Sequence, residues 1–247
     1  MRISIVVPAF NEEQGLPASL HSIRAAMKIF GQRGWLSELI VCDNNSTDRT
    51  PDIAREAGAT VVFEPVNQIA RARNVGAAHA SGDWLIFVDA DSHPTPELFA
   101  EVADTIRRGR CLAGGCTVSY DSAHWLLTVL TGTWNLLSRI NKWAAGSFIF
   151  CETTAFREMG GFNQTLYAAE EIDLSRRLKR LARRKGRTIV VLRRHPLRTS
   201  DRKLRLYKPS EVLMFIARTI ALGGRTLRNR DDCFAWYDGR REKSDAA

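Results

Sequence analysis

The sequence predicts an α/β fold with a mostly parallel central sheet and helices on both faces. Three stretches carry that expectation: residues 3–7 (ISIVV), 38–42 (ELIVC) and 84–88 (WLIFV). The first and third are close to continuously apolar instead of alternating, the pattern of a strand buried on both faces of a parallel sheet. Each of the three breaks into polar residues at its carboxyl end: Phe10-Asn11-Glu12, Asp43-Asn44-Asn45 and Asp89-Ala90-Asp91. Parallel strands put such ends on one edge, where open sheets of this kind bind ligands.

Helical signals separate the strands. Leu16, Leu20, Ile23, Met27 and Phe30 recur at helical spacing, with Pro17 near the start and Gly31 and Gly34 at the end. Thr50-Pro51 reads as the N-cap and first residue of a helix closed by Gly58. A short strand is expected at 60–63 and a helix at 68–80, carrying Arg71, Arg73 and Asn74. Thr95-Pro96 starts the helix after the central strand, with Leu98, Val102 and Ile106 on one face. Strand–helix alternation over short loops describes right-handed crossovers.

Past about residue 115 the alternation weakens. A strand at 111–119 is expected to kink at Gly114-Gly115, and an amphipathic helix at 124–143 to be interrupted by Gly132. There follow a short strand at 147–151, a short helix at 153–159 and a helix marked by Leu174, Leu178 and Leu181. A late strand at 188–192 and an apolar helix at 212–222 come last.

With 247 residues, 45% hydrophobic and 26% charged, the chain has the composition of a soluble globular protein with a substantial core. Five cysteines without a CxxC pair point to a reducing compartment and away from a disulfide scaffold. No signal peptide is read in MRISIVVPAFNEE, and no apolar run approaches the roughly 20 residues that span a bilayer. The net charge of +9 is unevenly spread: residues 176–208 carry 15 Lys/Arg against Asp201 alone, a net +14 that leaves the rest at −5. Such a block suits anionic lipid or a phosphorylated substrate. Nucleic acid is not the expected partner, since only Tyr207 interleaves an aromatic ring with the charges.

Asp89 and Asp91 carry the chemistry. Two carboxylates at the end of a buried strand repel each other unless a cation sits between them. Mg²⁺, held by one or two carboxylates plus phosphate oxygens, would supply it. Aspartates that merely cap the next helix are the alternative.

VVPAFNEE, VCDNNSTDRT, ARNVGAAHASGDWLIFVDAD, and GGF followed by AEEIDLSRRL resemble, in this order, the signatures of family 2 glycosyltransferases, which have the GT-A fold. The resemblance covers about residues 3–181. With no internal repeat or linker, a single domain is expected over 1–239; the loss of alternation near 115 suggests a nucleotide-sugar-binding half at 1–115 and an acceptor half at 116–239, and 240–247 is expected to be a disordered tail. The implied activity is inverting, divalent-metal-dependent transfer of a sugar from a nucleotide-diphosphate donor to a hydroxyl or lipid-phosphate acceptor. Pro8, Phe10, Asn11, Glu12, Asp43, Arg73 and Asp89 become the donor-binding set, with Phe10 against the base and Asp43 accepting a hydrogen bond from it. An Asx-turn explains Asp43 equally well, and Arg71 is the alternative to Arg73.

In the same resemblance, Asp89 and Asp91 hold Mg²⁺ or Mn²⁺ on the diphosphate. His93 and His195 are candidate further ligands, imidazole favouring Mn²⁺, with ordinary loop histidines as the alternative. Glu171 matches the base that takes the acceptor's proton, one methylene longer than the aspartate usual there. Glu170 and Asp173 are the fallbacks, and plain compensation of a helix dipole is the structural alternative. Residues 198–203 resemble a TS-x-R segment suited to a diphosphate or an anionic acceptor. A sugar-nucleotide-binding protein without transferase activity and a nucleotidyltransferase are the rival readings. The basic block beside the apolar 212–222 helix adds peripheral contact with an anionic membrane to the expectations, in a cytoplasmic protein.

Overall fold

The computed structural model describes residues 1–120, 125–144, 146–200, 206, 207 and 209–237. Strand β1 (Arg2–Ala9) is central because Ile3, Ile5, Val6 and Val7 are fully buried on both its faces. Helix α1 (Leu16–Gln32) returns the chain to β2 (Leu36–Asp43), and α2 (Thr50–Glu56) leads to β3 (Thr60–Phe63). Helix α3 (Ile69–Ala78) crosses on the opposite face to β4 (Trp84–Val88). Both β2 and β4 pair in parallel with β1, so the strand order reverses there and the carboxyl ends share one edge. The β1–β4 ladder runs only to Val6 and Phe87, so Pro8, which has no N–H to donate, interrupts no rung on that side.

The second half builds onto β4 from the other side. After β5 (Ser92–His93), α4 (Pro96–Arg107) starts at the expected cap, where the Thr95 hydroxyl accepts from Leu98 N. Next come β6 (Cys111–Tyr120), α5 (Trp125–Asn141), β7 (Phe148–Glu152), α6 (Thr153–Glu158) and α7 (Glu170–Arg184). The chain ends in β8 (Thr188–Thr199), α8 (Pro209–Ala221), a 3₁₀ turn (Arg225–Arg228) and α9 (Phe234–Tyr237). Strand β7 inserts antiparallel between β4 and β6, and β8 runs parallel to β6. The sheet order is therefore β3-β2-β1-β4-β7-β6-β8-β5, mostly parallel as expected.

One core layer packs Leu20, Ile23 and Phe30 of α1 with Phe99 and Val102 of α4. The other packs Ala72, Ala77, Phe156, Leu174, Leu178 and Leu181 from α3, α6 and α7. Since β8 points the same way as β1, its end reaches the ligand edge. There Ser200 N donates to Asp91 O at 3.1 Å, and Ser92 Oγ meets Thr199 Oγ1 at 3.1 Å.

Several sequence expectations change. Thr50 lies inside the first turn of α2, and its hydroxyl accepts instead from Glu12 N at 2.7 Å. Gly132 sits within a continuous α5. The late strand is twelve residues long, so His195 lies within it and not beyond it. The Gly114-Gly115 pair does not kink β6; the register shifts fall between Cys111 and Ala113 and between Cys116 and Val118. Close packing explains the glycines: a Cβ at Gly114 would stand 2.6 Å from both the Phe150 ring and Val190 O. Residues 201–203 and the 240–247 tail lie outside the described residues.

Backbone cannot yield as a side chain can, so Gly114→Ala should cost about 1–3 kcal/mol through overpacking. Thermal unfolding checks this: each kcal/mol lowers Tm by roughly 2–4 °C in a domain of this size.

Candidate active site

The ligand edge is assembled from loops that bond to one another. Asn11, with φ of 51°, donates its N–H to Ser46 Oγ at 3.0 Å and accepts from Thr47 N at 2.8 Å. Glu13 N reaches Asp48 Oδ2 at 3.1 Å. The segments after β1 and β2 are thereby zipped into one wall, with Phe10 half-exposed on it. Asp43 is buried and its Oδ1 accepts from Ser46 N at 3.0 Å, so the Asx-turn is real. Asn44, not singled out from the sequence, clamps the next loop. Its amide donates to Glu64 O and Val66 O, and its Oδ1 accepts from Gln68 N.

That clamp sets the start of α3, which carries the two candidate arginines. Two residues apart on a helix, they point in different directions. Arg71 pairs with Glu64 at 3.0 Å and stays a third exposed. Arg73 is buried, at 3% exposure. Its Nη1 donates to Glu170 Oε1 at 2.7 Å, and its Nη2 to Asp89 Oδ1 and Gly146 O, both at 2.8 Å. Phe162 lies under the guanidinium, 5.1 Å away. Arg73 Nε is buried with no partner among the described residues. Burial works against the guanidinium's charge, but Asp89, Glu170 and Glu171 outweigh it and push its pKa further up.

Glu170 and Glu171 open α7. The residue before them, Ala169, takes a left-handed φ of 62°, a strained backbone for a residue with a Cβ. Glu170 is buried against Arg73; Glu171 is half-buried, and a Cβ at Gly146 would come within 3.4 Å of its carboxyl carbon. Burial and the neighbouring Glu170 push the Glu171 carboxyl up to about 8, with Arg73 opposing. Glu170 is also raised by burial, although Arg73 favours its ionised form. Asp173 points elsewhere. It pairs with Arg177 at 2.7 Å, and Arg177 also holds Gly161 O at 2.8 Å, so this fallback acid fixes the loop before α7.

The donor set suits a divalent cation. Asp89 keeps its Oδ2 unbonded while Arg73 holds Oδ1, and the half-buried Asp91 carboxylate has no partner among the described residues. One arginine faces three carboxylates, Asp89, Glu170 and Glu171, leaving negative charge to balance. No three of His, Cys, Asp and Glu converge with ligand geometry among the described residues. Asp89, Asp91 and His93 therefore do not form a three-ligand cage, and two carboxylates completed by donor oxygens is the fitting arrangement. His93 pairs in β5 with Arg198 of β8. His195 is three residues earlier in β8. It lies near Glu97, whose carboxyl is held low first by its own backbone N–H, then by the Thr95 hydroxyl, with His195 adding to them.

The sequence model described as Glycosyl transferase family 2 matches residues 4–159, well over half of the chain. The chain belongs to glycosyl transferase family 2. An uncharacterized glycosyltransferase of Mycobacterium tuberculosis is 32% identical over 145 residues, which are 56% of this chain and 60% of that one. The dolichol-phosphate mannosyltransferase of Pyrococcus furiosus is 29% identical over 123 residues, 47% of this chain and 33% of that one. The chain thus spans 60% and 33% of the length of these two curated relatives, less than two thirds of either. Among solved structures, glucosyl-3-phosphoglycerate synthase from Mycobacterium tuberculosis, in complex with Mn²⁺, UDP and phosphoglyceric acid, superposes with a TM-score of 0.60. Its identity is 22%, and the match covers 89% of this chain and 75% of that one. The fold is GT-A. The family match contains Asp43, Arg73, Asp89 and Asp91 but stops before α7, so the two glutamates are tied to the family 2 core by Arg73.

Gly146 and Asn44 escaped the sequence reading. Gly146 has no motif around it, whereas the VCDNNSTDRT stretch does contain Asn44 and hides a structural role among ligand candidates.

Arg73→Met would leave the Asp89 and Glu170 charges uncompensated and should lower stability by about 3–5 kcal/mol, readable by chemical denaturation. Glu171→Gln has a pH signature. An unfolded glutamate titrates near 4.3, so between there and about 8 the native protein binds the extra proton and stability falls as pH rises. In EDTA, the glutamine variant should match the parent below pH 4.3. It should melt at least roughly 2–4 °C higher near pH 8.

Proposed function

We propose that this chain is an inverting, divalent-metal-dependent glycosyltransferase that moves a sugar from a nucleotide-diphosphate donor to an acceptor. The observation that carries the reading is Arg73, which holds Asp89 and Glu170 in one buried cluster at the carboxyl edge of the sheet. A donor-side carboxylate and an acid pair locked to one guanidinium suit a reaction in which a leaving group departs on one side and a nucleophile arrives on the other.

In this reading Phe10, Asn11, Glu12 and Asp43 form the wall for base and ribose, with Pro8 shaping the end of β1. Asp89 and Asp91 would hold Mg²⁺ or Mn²⁺ on the diphosphate. The ion, when bound, neutralises charge on the departing nucleotide diphosphate. Arg73 fixes Asp89 through Oδ1 and so leaves Oδ2 facing the donor side. Where the acceptor is a hydroxyl, Glu171 takes its proton: the oxygen bonds to the anomeric carbon as the carbon–phosphate oxygen bond breaks, which inverts that carbon. Glu170, ion-paired to Arg73, is the positioning acid of the pair. A raised pKa suits Glu171 to proton transfer near neutral pH.

For the acceptor, a lipid-linked phosphate is the reading we favour. The Pyrococcus furiosus relative is by name a transferase to dolichol phosphate. An ionised phosphate brings no proton to remove, and Glu171 would then orient it as the protonated acid.

A nucleotide-sugar panel screened by thermal shift with and without Mn²⁺ should give a metal-dependent increase in Tm for one donor. Asp91→Asn should abolish transfer in a folded protein, and full turnover in EDTA would overturn the metal assignment. Glu171→Gln should lower turnover on a hydroxyl acceptor by roughly 10²–10⁴ with donor affinity little changed. A large loss in Glu170→Gln with none in Glu171→Gln would exchange the two roles.

A further inference from the structure

Over residues 131–141, helix α5 is inside out. Its inward face carries Trp134, Asn135 and Ser138, and the two polar residues are bonded there. Asn135 Nδ2 donates to Val118 O at 2.9 Å and its Oδ1 accepts from Val118 N at 3.0 Å; Ser138 Oγ donates to Trp143 O. Its outward face carries Leu136, Leu137 and Ile140, exposed by 54%, 44% and 67%. At 100° per residue these three span about one quarter of the helix circumference, so they form one stripe. A helix that satisfies amides inward and turns its aliphatic residues to solvent is built to be covered by something apolar.

The surroundings say what covers it. Arg139 and Lys142 are exposed beside the stripe. The basic face of α7 adjoins the end of α5, where Lys179 Nζ donates to Asn141 O at 2.9 Å and Arg176 lies 5.2 Å over the Trp143 ring. Exposed Arg180 and Arg183 continue that face along α7. Among the described residues, none of Arg139, Lys142, Arg176, Arg180 and Arg183 is in an ion pair. Aliphatic residues flanked by Arg139 and Lys142, with the basic face of α7 adjoining the helix end, match an anionic bilayer, with side chains below the headgroups and cations among the phosphates.

We infer that the α5 stripe and the adjoining basic face of α7 form a docking surface for an anionic phospholipid membrane. The segment after α5 leads within five residues to Gly146, against which Glu171 and Arg73 pack. Docking there would present the acid end of the site to a phosphate borne by the bilayer. The surface differs from the one expected from residues 212–222. In α8, Phe215 and Thr219 pack on Phe234 and Thr226, at a ring distance of 6.0 Å and an oxygen distance of 2.8 Å, and Met214 and Ile220 stay exposed.

The inference deepens the lipid-linked acceptor reading and rests on it for its purpose, though not for its observations. The test is co-sedimentation of the full chain with phosphatidylglycerol-containing and pure phosphatidylcholine vesicles, at low and high salt. Binding should occur only to the anionic vesicles and weaken with salt. Leu137→Glu/Ile140→Glu should reduce it at least tenfold, and Arg180→Glu/Arg183→Glu by a similar factor, with nucleotide-sugar binding unchanged. No binding at low salt overturns the proposal, as does binding that both double variants retain. Concentration-dependent dimerisation abolished by Leu137→Glu/Ile140→Glu, without vesicle binding, would make the stripe a contact between copies instead. Transfer to a detergent-solubilised polyprenyl phosphate without vesicle binding would overturn the surface and leave the acceptor reading standing. Vesicle binding with transfer only to soluble hydroxyl acceptors would do the reverse.

Discussion

The site depends on one buried guanidinium. Arg73 cannot lose its proton, so its burial obliges the fold to bring carboxylates to it, and two arrive from separate segments of the sequence. Asp89 comes from the end of β4 and Glu170 from the start of α7. Removing either charge strands the other in a poorly solvated place, which makes the cluster far more expensive to break than to keep. Local features follow from it. Gly146 gives its carbonyl oxygen to Arg73 and lies against Glu171, and Ala169 takes a left-handed backbone conformation just where the chain must turn α7 toward the guanidinium. An orphaned Nε and a strained alanine are costs that functional sites tolerate.

The sheet explains why the cluster stands where it does. The order reverses at β1, and crossovers run over one face through α1 and over the other through α3, which opens the edge between the strand ends. Strand β7 then enters antiparallel beside β4, so that its start, at the Gly146–Ser147 turn, lies at the same edge. Asp89 N bonds to Ser147 O and Arg73 to Gly146 O. Strand β8 closes the other flank at Asp91. The Asp89-Ala90-Asp91 turn is therefore held from both sides.

Charge is divided in space as it is in sequence. The first turn of α7 carries Glu170, Glu171 and Asp173, and Arg176, Arg180, Arg183 and Arg184 of the same helix face outward. One amphipathic helix thus serves three surfaces. Its first turn supplies the acids, Leu174, Leu178 and Leu181 supply the core, and Arg176 and Lys179 meet the end of α5 at Trp143 and Asn141.

Local pattern was enough for the fold class, because continuous apolar runs at 3–7 and 84–88 can bury both faces only in a covered sheet. It was enough too for β3, β4 and the Thr95 cap, where periodicity and capping chemistry agree, and for the grouping of three polar strand ends on one edge. Sequence spacing could not tell that Arg73 turns inward and Arg71 to Glu64, since that is set by the phase of α3 against the sheet. Nor could it separate Asp173, spent on Arg177, from Glu171 three-dimensionally beside Gly146. Gly114-Gly115 looked like a kink because only the facing strands reveal Phe150 and Val190 at that spot. The reversed polarity of α5 was invisible for the same reason: an amphipathic pattern names two faces, and only the neighbours, here Val118 and Trp143, decide which one is inside.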